Sequence, residues 1–192
     1  MRRLLNVTNG IDIKNYPTSV VRSKMALVMQ DPFLFSGTIR DNIRQGKTDI
    51  SEEMMEHVIE ASNCKTLINR LPEGIDTILS ESGASISSGE RQLISIARAF
   101  ASNPDLIILD EATSYIDSET EHSIQKALFN LMKNRTSIIV AHRLSTARHA
   151  DRIIVLHKGK IIETGSHDEL MKKKGVYFRL NQFQLSQPNP VK

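Results

Sequence analysis

The stretch Leu106-Ile107-Ile108-Leu109-Asp110-Glu111 decides how this chain folds. Four consecutive apolar residues, bounded by Pro104 and Asp110, predict a strand buried on both faces, as in a parallel sheet. The two carboxylates emerge at the strand's C-terminal end, the edge of an open α/β sheet at which ligands bind. Asp110 suits Mg²⁺ there, because magnesium takes one or two carboxylates together with phosphate oxygens. Glu111 is able to accept a hydrogen bond from an attacking water. The competing reading is a strand that ends in two solvated acidic turn residues.

Strand and helix signals alternate on either side of this stretch. Residues 26–30 (ALVMQ) predict a short buried strand ended by Asp31-Pro32, since proline cannot continue a ladder. Thr136 to Ala141 and Arg152 to Leu156 predict two more strands, and Lys158-Gly159 a two-residue hairpin turn into Ile161-Ile162. A helical pattern runs from Thr48 to about Arg70, with Ser51 at its start and Glu52 and Glu53 in the first turn, where the dipole favours anions. Pro72-Glu73-Gly74 marks a turn. A second helical pattern (Arg91, Leu93, Ile94, Ile96, Ala97, Phe100) stops at Asn103-Pro104. Ser118 to Met132 carries Ile124, Leu128 and Leu131 on one helical face, and Leu144 to His149 predicts a short helix. This order implies parallel βαβ units covered by helices. Ser186 to Lys192 carries two prolines and is expected to be a loose tail.

Three further groups of residues fall where chemistry is expected. Ser87, Ser88, Gly89 and Glu90 precede a helix whose first-turn N–H groups, with serine hydroxyls and a glycine that permits close approach, suit a phosphate. Plain capping by Ser87 or Ser88 explains the same residues. His142 directly follows the strand Thr136 to Ala141, at the edge that also bears Asp110 and Glu111; a structural histidine is the alternative. Gln30 also ends a strand and is a candidate ligand for Mg²⁺ or the attacking water.

Composition bounds these readings. A chain of 192 residues predicts one domain or slightly more, and at that length roughly 70% of the unfolded surface can be buried. The hydrophobic fraction of 40% and charged fraction of 24% are those of an ordinary globular protein. One cysteine, Cys64, excludes an internal disulfide and a multi-cysteine zinc site and points to a reducing cytosol. No apolar run is long enough to cross a bilayer. The net charge of +3 is too mild for a nucleic-acid partner.

Taken in order, these segments resemble the nucleotide-binding domain of an ATP-binding cassette (ABC) transporter of the exporter subclass. Gln30 lies in a run similar to the Q-loop (VMQDPFLFSGTIRDNI), and Glu81-Ser82-Gly83 resembles the exporter X-loop. Residues 86–90 resemble the signature LSGGQ, Asp110 and Glu111 the Walker B pair, Ser114-Tyr115-Ile116-Asp117 the D-loop, and His142 the switch histidine. The likeness runs from about Asn9 to Gln184. It implies a P-loop NTPase-like α/β fold: a mainly parallel sheet with flanking helices and a helical signature subdomain. Residues 1–185 would form a partial domain, with about 40–103 as the helical part, 104–185 carrying Walker B, D-loop and switch histidine, and 186–192 as tail.

The resemblance also assigns roles. Glu111 would polarise the attacking water, Asp110 with Gln30 would attend Mg²⁺, and His142 would contact the γ-phosphate of ATP. Ser87, Ser88, Gly89 and Glu90 would meet ATP held by an opposite domain, with Asp117 at the seam of that homo- or heterodimer. Phe33 to Asn42 would face a membrane domain, which places the chain in the cytoplasm at the membrane's inner face.

Some residues depart from the family's pattern. No G-x-x-x-x-G-K-[ST] occurs; Gly46-Lys47-Thr48 has Asp41 where the first glycine belongs and follows the Q-loop rather than preceding it. The 29 residues before Gln30 are too few for the usual Walker A and adenine-stacking segments, so the resemblance implies an N-terminally truncated domain whose first strands and P-loop are missing. Such a chain would bind ATP poorly alone, and an alternative is a non-catalytic half-site that donates its signature to a complete partner. Ser88, Glu90 and Tyr115 replace the expected Gly, Gln and small residue. Glu90 brings a negative charge toward the phosphate and is expected to weaken the signature, as in a degenerate site. A non-transporting ATPase of the DNA-repair kind is disfavoured, because the chain has neither heptads nor cysteine pairs.

Overall fold

The structure, a computed structural model, describes residues 7–8, 11–45, 49–79, 86–111, 117–141 and 144–186. Two compact units divide the chain, Met1–Ile138 and Ile139–Lys192.

The larger unit begins with the antiparallel pair β1 (Val7–Thr8) and β2 (Ile11–Asp12), followed by α1 (Thr18–Ser23) and β3 (Met25–Val28). After it come β4 (Gly37–Thr38), α2 (Ile39–Arg44), α3 (Glu52–Ala61), α4 (Lys65–Arg70) and β5 (Ile78–Leu79). The unit continues with α5 (Ser88–Ser102), β6 (Leu106–Glu111), α6 (Ser118–Met132) and the first half of β7 (Thr136–Ala141). The main sheet has the order β3-β6-β7, and β3 runs parallel to β6 from Met25↔Leu106 to Val28↔Leu109. That register is set at its start by the Lys24 carbonyl, which accepts N–H bonds from Asp105 and Leu106 at 2.9 and 3.1 Å.

The period of two in a strand sorts these residues by face. Ala26, Val28, Ile107 and Leu109 are buried on one face. Leu27, paired with Ile108, lies on the other and is 57% exposed. The expected burial of the 106–109 run on both faces is therefore corrected. Leu106 and Ile108 are only half-buried, because an apolar run shows that both faces can be buried, whereas cover has to come from a packed element.

The pattern read as one helix over 48–70 is two, α3 and α4, separated at Ser62-Asn63-Cys64. Asn63 adopts a left-handed φ of 56° and its amide donates to the Ser123 carbonyl of α6 at 2.9 Å, so a tertiary bond holds the break. Cys64 is fully buried, and burial pushes its thiol up to about 12, which makes it a packing residue. Helix α5 buries Leu93, Ile94, Ile96, Ala97 and Ala99 and packs against α2, α3, α6 and β3. It stops at Asn103, whose φ of 43° is left-handed, just before Pro104.

The smaller unit contains α7 (Leu144–Ala147), β8 (Ile153–His157), β9 (Lys160–Gly165), α8 (His167–Lys173) and α9 (Val176–Ser186). The predicted hairpin forms through Lys158 and Gly159, both at positive φ (48° and 73°), the geometry that matches strand twist. Ile153, Leu170 and Tyr177 make its core. Ser166 caps α8 in a reciprocal box with Glu169, and the Tyr177 hydroxyl lies 2.8 Å from His167 Nδ1. The Glu163 carboxylate of β9 accepts the N–H groups of Val176 and Tyr177, the latter at 3.0 Å, and so caps α9.

A Cβ on Gly175 would come within 2.0 Å of Glu163 Oε1, so Gly175→Ala is expected to dislodge this cap and destabilise the unit by about 1–3 kcal/mol in urea unfolding. The Tyr177 and Val176 N–H groups hold the Glu163 carboxyl below its usual value of 4.5. Its stabilising contribution is thus complete above about pH 4.5 and is lost as pH falls through the lower folded value. The stability gap between the parent and Glu163→Ala, followed by urea titration, should shrink as pH drops from 6 toward 3.

Candidate functional site

The parallel register fixes the edge at which the candidate residues emerge. Val28 sits opposite Leu109, so Met29 and Gln30 leave β3 beside the place where Asp110 and Glu111 end β6. Gln30 and Asp110 are both exposed there. Among the described residues no group of three or more His, Cys, Asp or Glu stands close enough to hold a metal ion. A carboxylate and an amide oxygen at a sheet edge suit magnesium, which keeps most of its shell for water and phosphate and rarely occupies an all-protein cage. β7 neighbours β6 in the sheet, and His142, which follows it, lies outside the described residues. So do Glu81-Ser82-Gly83, Gly46-Lys47-Thr48 and Ser114-Tyr115-Ile116.

The Ser87–Glu90 segment opens α5. Of the two serines that could cap it, Ser87 does so: its hydroxyl oxygen accepts the Glu90 N–H at 3.2 Å, and Glu90 Oε2 accepts the Ser87 N–H at 2.8 Å. Ser88 is exposed and Gly89 buried. The Arg91 side chain donates to the Ile86 carbonyl at 3.0 Å, pinning the chain as it enters the helix. One turn further on, a single bond ties this helix to the sheet edge: Gln92 Nε2 donates to the Met29 carbonyl at 3.2 Å, next to Gln30. Asp117 caps α6, accepting the Thr120 N–H at 2.9 Å, and that bond holds its carboxyl below the ordinary aspartate value.

Sequence reasoning missed Arg98. It lies within the apolar stripe of α5, and its guanidinium donates to the Asn42 carbonyl (2.9 Å), Asn42 Oδ1 (3.1 Å) and the Phe33 carbonyl (3.1 Å). Asn42, 2% exposed, in turn accepts the Phe35 N–H and donates to the carbonyls of Phe35 and Thr38. The segment 33–42 is thereby fastened to α5 with Leu34 buried, while Phe33 and Phe35 stay more than half exposed and pack edge-to-face at 5.1 Å. They border a groove of about 340 Å³ with Met29, Pro32 and Ser95. An arginine among apolar helix positions was the available signal, since a cation there must find acceptors.

The sequence model of the ABC transporter family matches residues 6–114 of this chain. The chain is 52% identical over 176 residues to the uncharacterized ABC transporter ATP-binding protein YfiC of Bacillus subtilis, covering 92% of this chain and 29% of that protein. It is 49% identical to the ATP-dependent lipid A-core flippase of Desulfotalea psychrophila, covering 92% of this chain and 31% of that one. The solved structure of a bacterial Atm1-family ABC exporter with ATP bound superposes with a TM-score of 0.85 at 34% identity, over 95% of this chain and 32% of that chain. The chain thus spans under a third of the length of these relatives.

Arg98→Ala removes all three donors and leaves the Asn42 and Phe33 acceptors in place, so a loss of about 2–4 kcal/mol is expected in urea unfolding. Arg98→Lys, with a single ammonium in place of the planar fork, should recover only part of it.

Proposed function

The chain belongs to the ABC transporter family, and from that premise we propose that it is the ATP-hydrolysing part of an exporter, working at the cytoplasmic face of a membrane. The observation that carries the reading is the β3–β6 register, which leaves Gln30 and the Asp110-Glu111 pair at one edge of the sheet. The helix α5, which carries the signature-like segment at its start, is bonded to that same edge through Gln92 and Met29.

In this reading residues 1–185 are part of a single nucleotide-binding domain, with about 40–103 as its helical portion. Asp110, with the Gln30 amide oxygen, would hold magnesium, which when bound would neutralise phosphate charge. Glu111 orients the attacking water and takes its proton, while His142 donates a hydrogen bond to the terminal phosphate. The Ser87 hydroxyl still has its proton to give, because the bond it makes within the cap is one it accepts. With the first-turn N–H groups of Ser88 and Gly89 it meets the phosphate of ATP held by a second nucleotide-binding domain, identical or different, and Asp117 lies toward that partner. The membrane domain docks where Phe33 and Phe35 are exposed beside the groove. No G-x-x-x-x-G-K-[ST] occurs among these 192 residues, so the reading rests on the residues named here and not on that motif.

The test is magnesium-dependent ATP hydrolysis by the protein in its native assembly. Glu111→Gln is expected to lower kcat at least about 100-fold, as for loss of a general base, and Asp110→Asn should raise the magnesium concentration required. Parent-like rates in both variants would overturn the reading. Hydrolysis that needs the partner's acidic pair and ignores this one would identify the chain as a donor of its signature only.

A further inference from the structure

Glu90 stands where the family's signature has a neutral glutamine, and by sequence its charge should repel an approaching phosphate. The structure gives that carboxylate a partner. Glu90 Oε1 forms an ion pair with the Arg70 guanidinium, while its other oxygen accepts the Ser87 N–H. The carboxylate is turned inward, its side chain 13% exposed, and Arg70 lies over it from the solvent side, 64% exposed. Arg70 sits in the last turn of α4, where the helix dipole favours a cation. One side chain of α4 therefore both neutralises Glu90 and fixes the rotamer that holds Ser87.

We propose that Arg70 is a positioning residue for nucleotide engagement: the Arg70–Glu90 pair is a charge-neutral clamp that keeps the Ser87–Gly89 segment receptive to a terminal phosphate despite the acidic residue in the signature. The proposal rests on the functional reading above. It replaces the expectation that Glu90 marks a weakened site, because the charge that would weaken it is compensated within hydrogen-bonding distance. An exposed ion pair with no functional task would change unfolding free energy slightly and leave the ATP dependence untouched.

The test uses steady-state Mg·ATP hydrolysis by the native assembly at low and high salt, with Ser87 amide exchange measured in the nucleotide-free protein. Arg70→Ala should raise KM for ATP about tenfold at low salt, with the effect shrinking as salt screens the carboxylate that the substitution uncovers. Arg70→Lys, which keeps the charge, should recover most of the loss. Arg70→Ala/Glu90→Gln should bring KM back to within about threefold of the parent, since nothing is left to compensate. Ser87 amide exchange should speed up in Arg70→Ala whether or not ATP is turned over. An unchanged KM in Arg70→Ala at low salt, a double variant as impaired as Arg70→Ala, or unaltered Ser87 exchange would each overturn the proposal. A parent with no magnesium-dependent hydrolysis would instead overturn the functional reading, and the proposal with it.

Discussion

A guanidinium inside an apolar helix face is the constraint on which the larger unit depends. Burial lowers the pKa of Arg98 and is unfavourable to its charge, so the side chain is stable there only if its donors are met. They are met by the carbonyls of Phe33 and Asn42 and by the Asn42 amide oxygen, groups 56 and 65 residues earlier in the chain. The Phe35 ring adds a face 5.6 Å from the guanidinium carbon. Since Asn42 spends its remaining capacity on Phe35 and Thr38, one half-buried cation organises the whole passage from the end of β3 into α2. That passage is where the aromatic pair and the groove lie.

The same helix organises the sheet edge. Its apolar face packs on β3, Gln92 reaches the Met29 carbonyl, and its N-terminus is shaped by the Ser87–Glu90 box. Gln30 and the signature-like segment are therefore held by one rigid element within the larger unit. One hydrogen bond and the packing of α5 on β3 thus join the two places.

The capping residues show how local chemistry and tertiary charge combine. Thr38, Ser87 and Ser166 each form a reciprocal box with an acidic residue three positions on. In α2 and α8 that acid serves the cap, whereas in α5 it also receives Arg70 from a neighbouring helix. The box motif is identical in outline, and of these three only that of α5 joins two helices. Glu163 caps α9 from a strand, which no local motif encodes.

Much of the fold was legible in the residues. The strand at Leu106–Glu111, the helix Ser118–Met132, the hairpin at Lys158-Gly159 and the stop at Asn103-Pro104 all follow from periodicity, caps and backbone preferences, which act over a few residues. The order of the motifs likewise pointed to the family. Other features were not legible. The break at Asn63 is held by Ser123, the exposure of Leu27 reflects which elements supply cover, and the partners of Arg98 and Glu90 sit on other elements. A sequence read in windows reports what each segment can bury and where it can turn. Which face is covered, and whether a charge is repulsive or compensated, depends on residues far apart in the chain that meet only when the core closes.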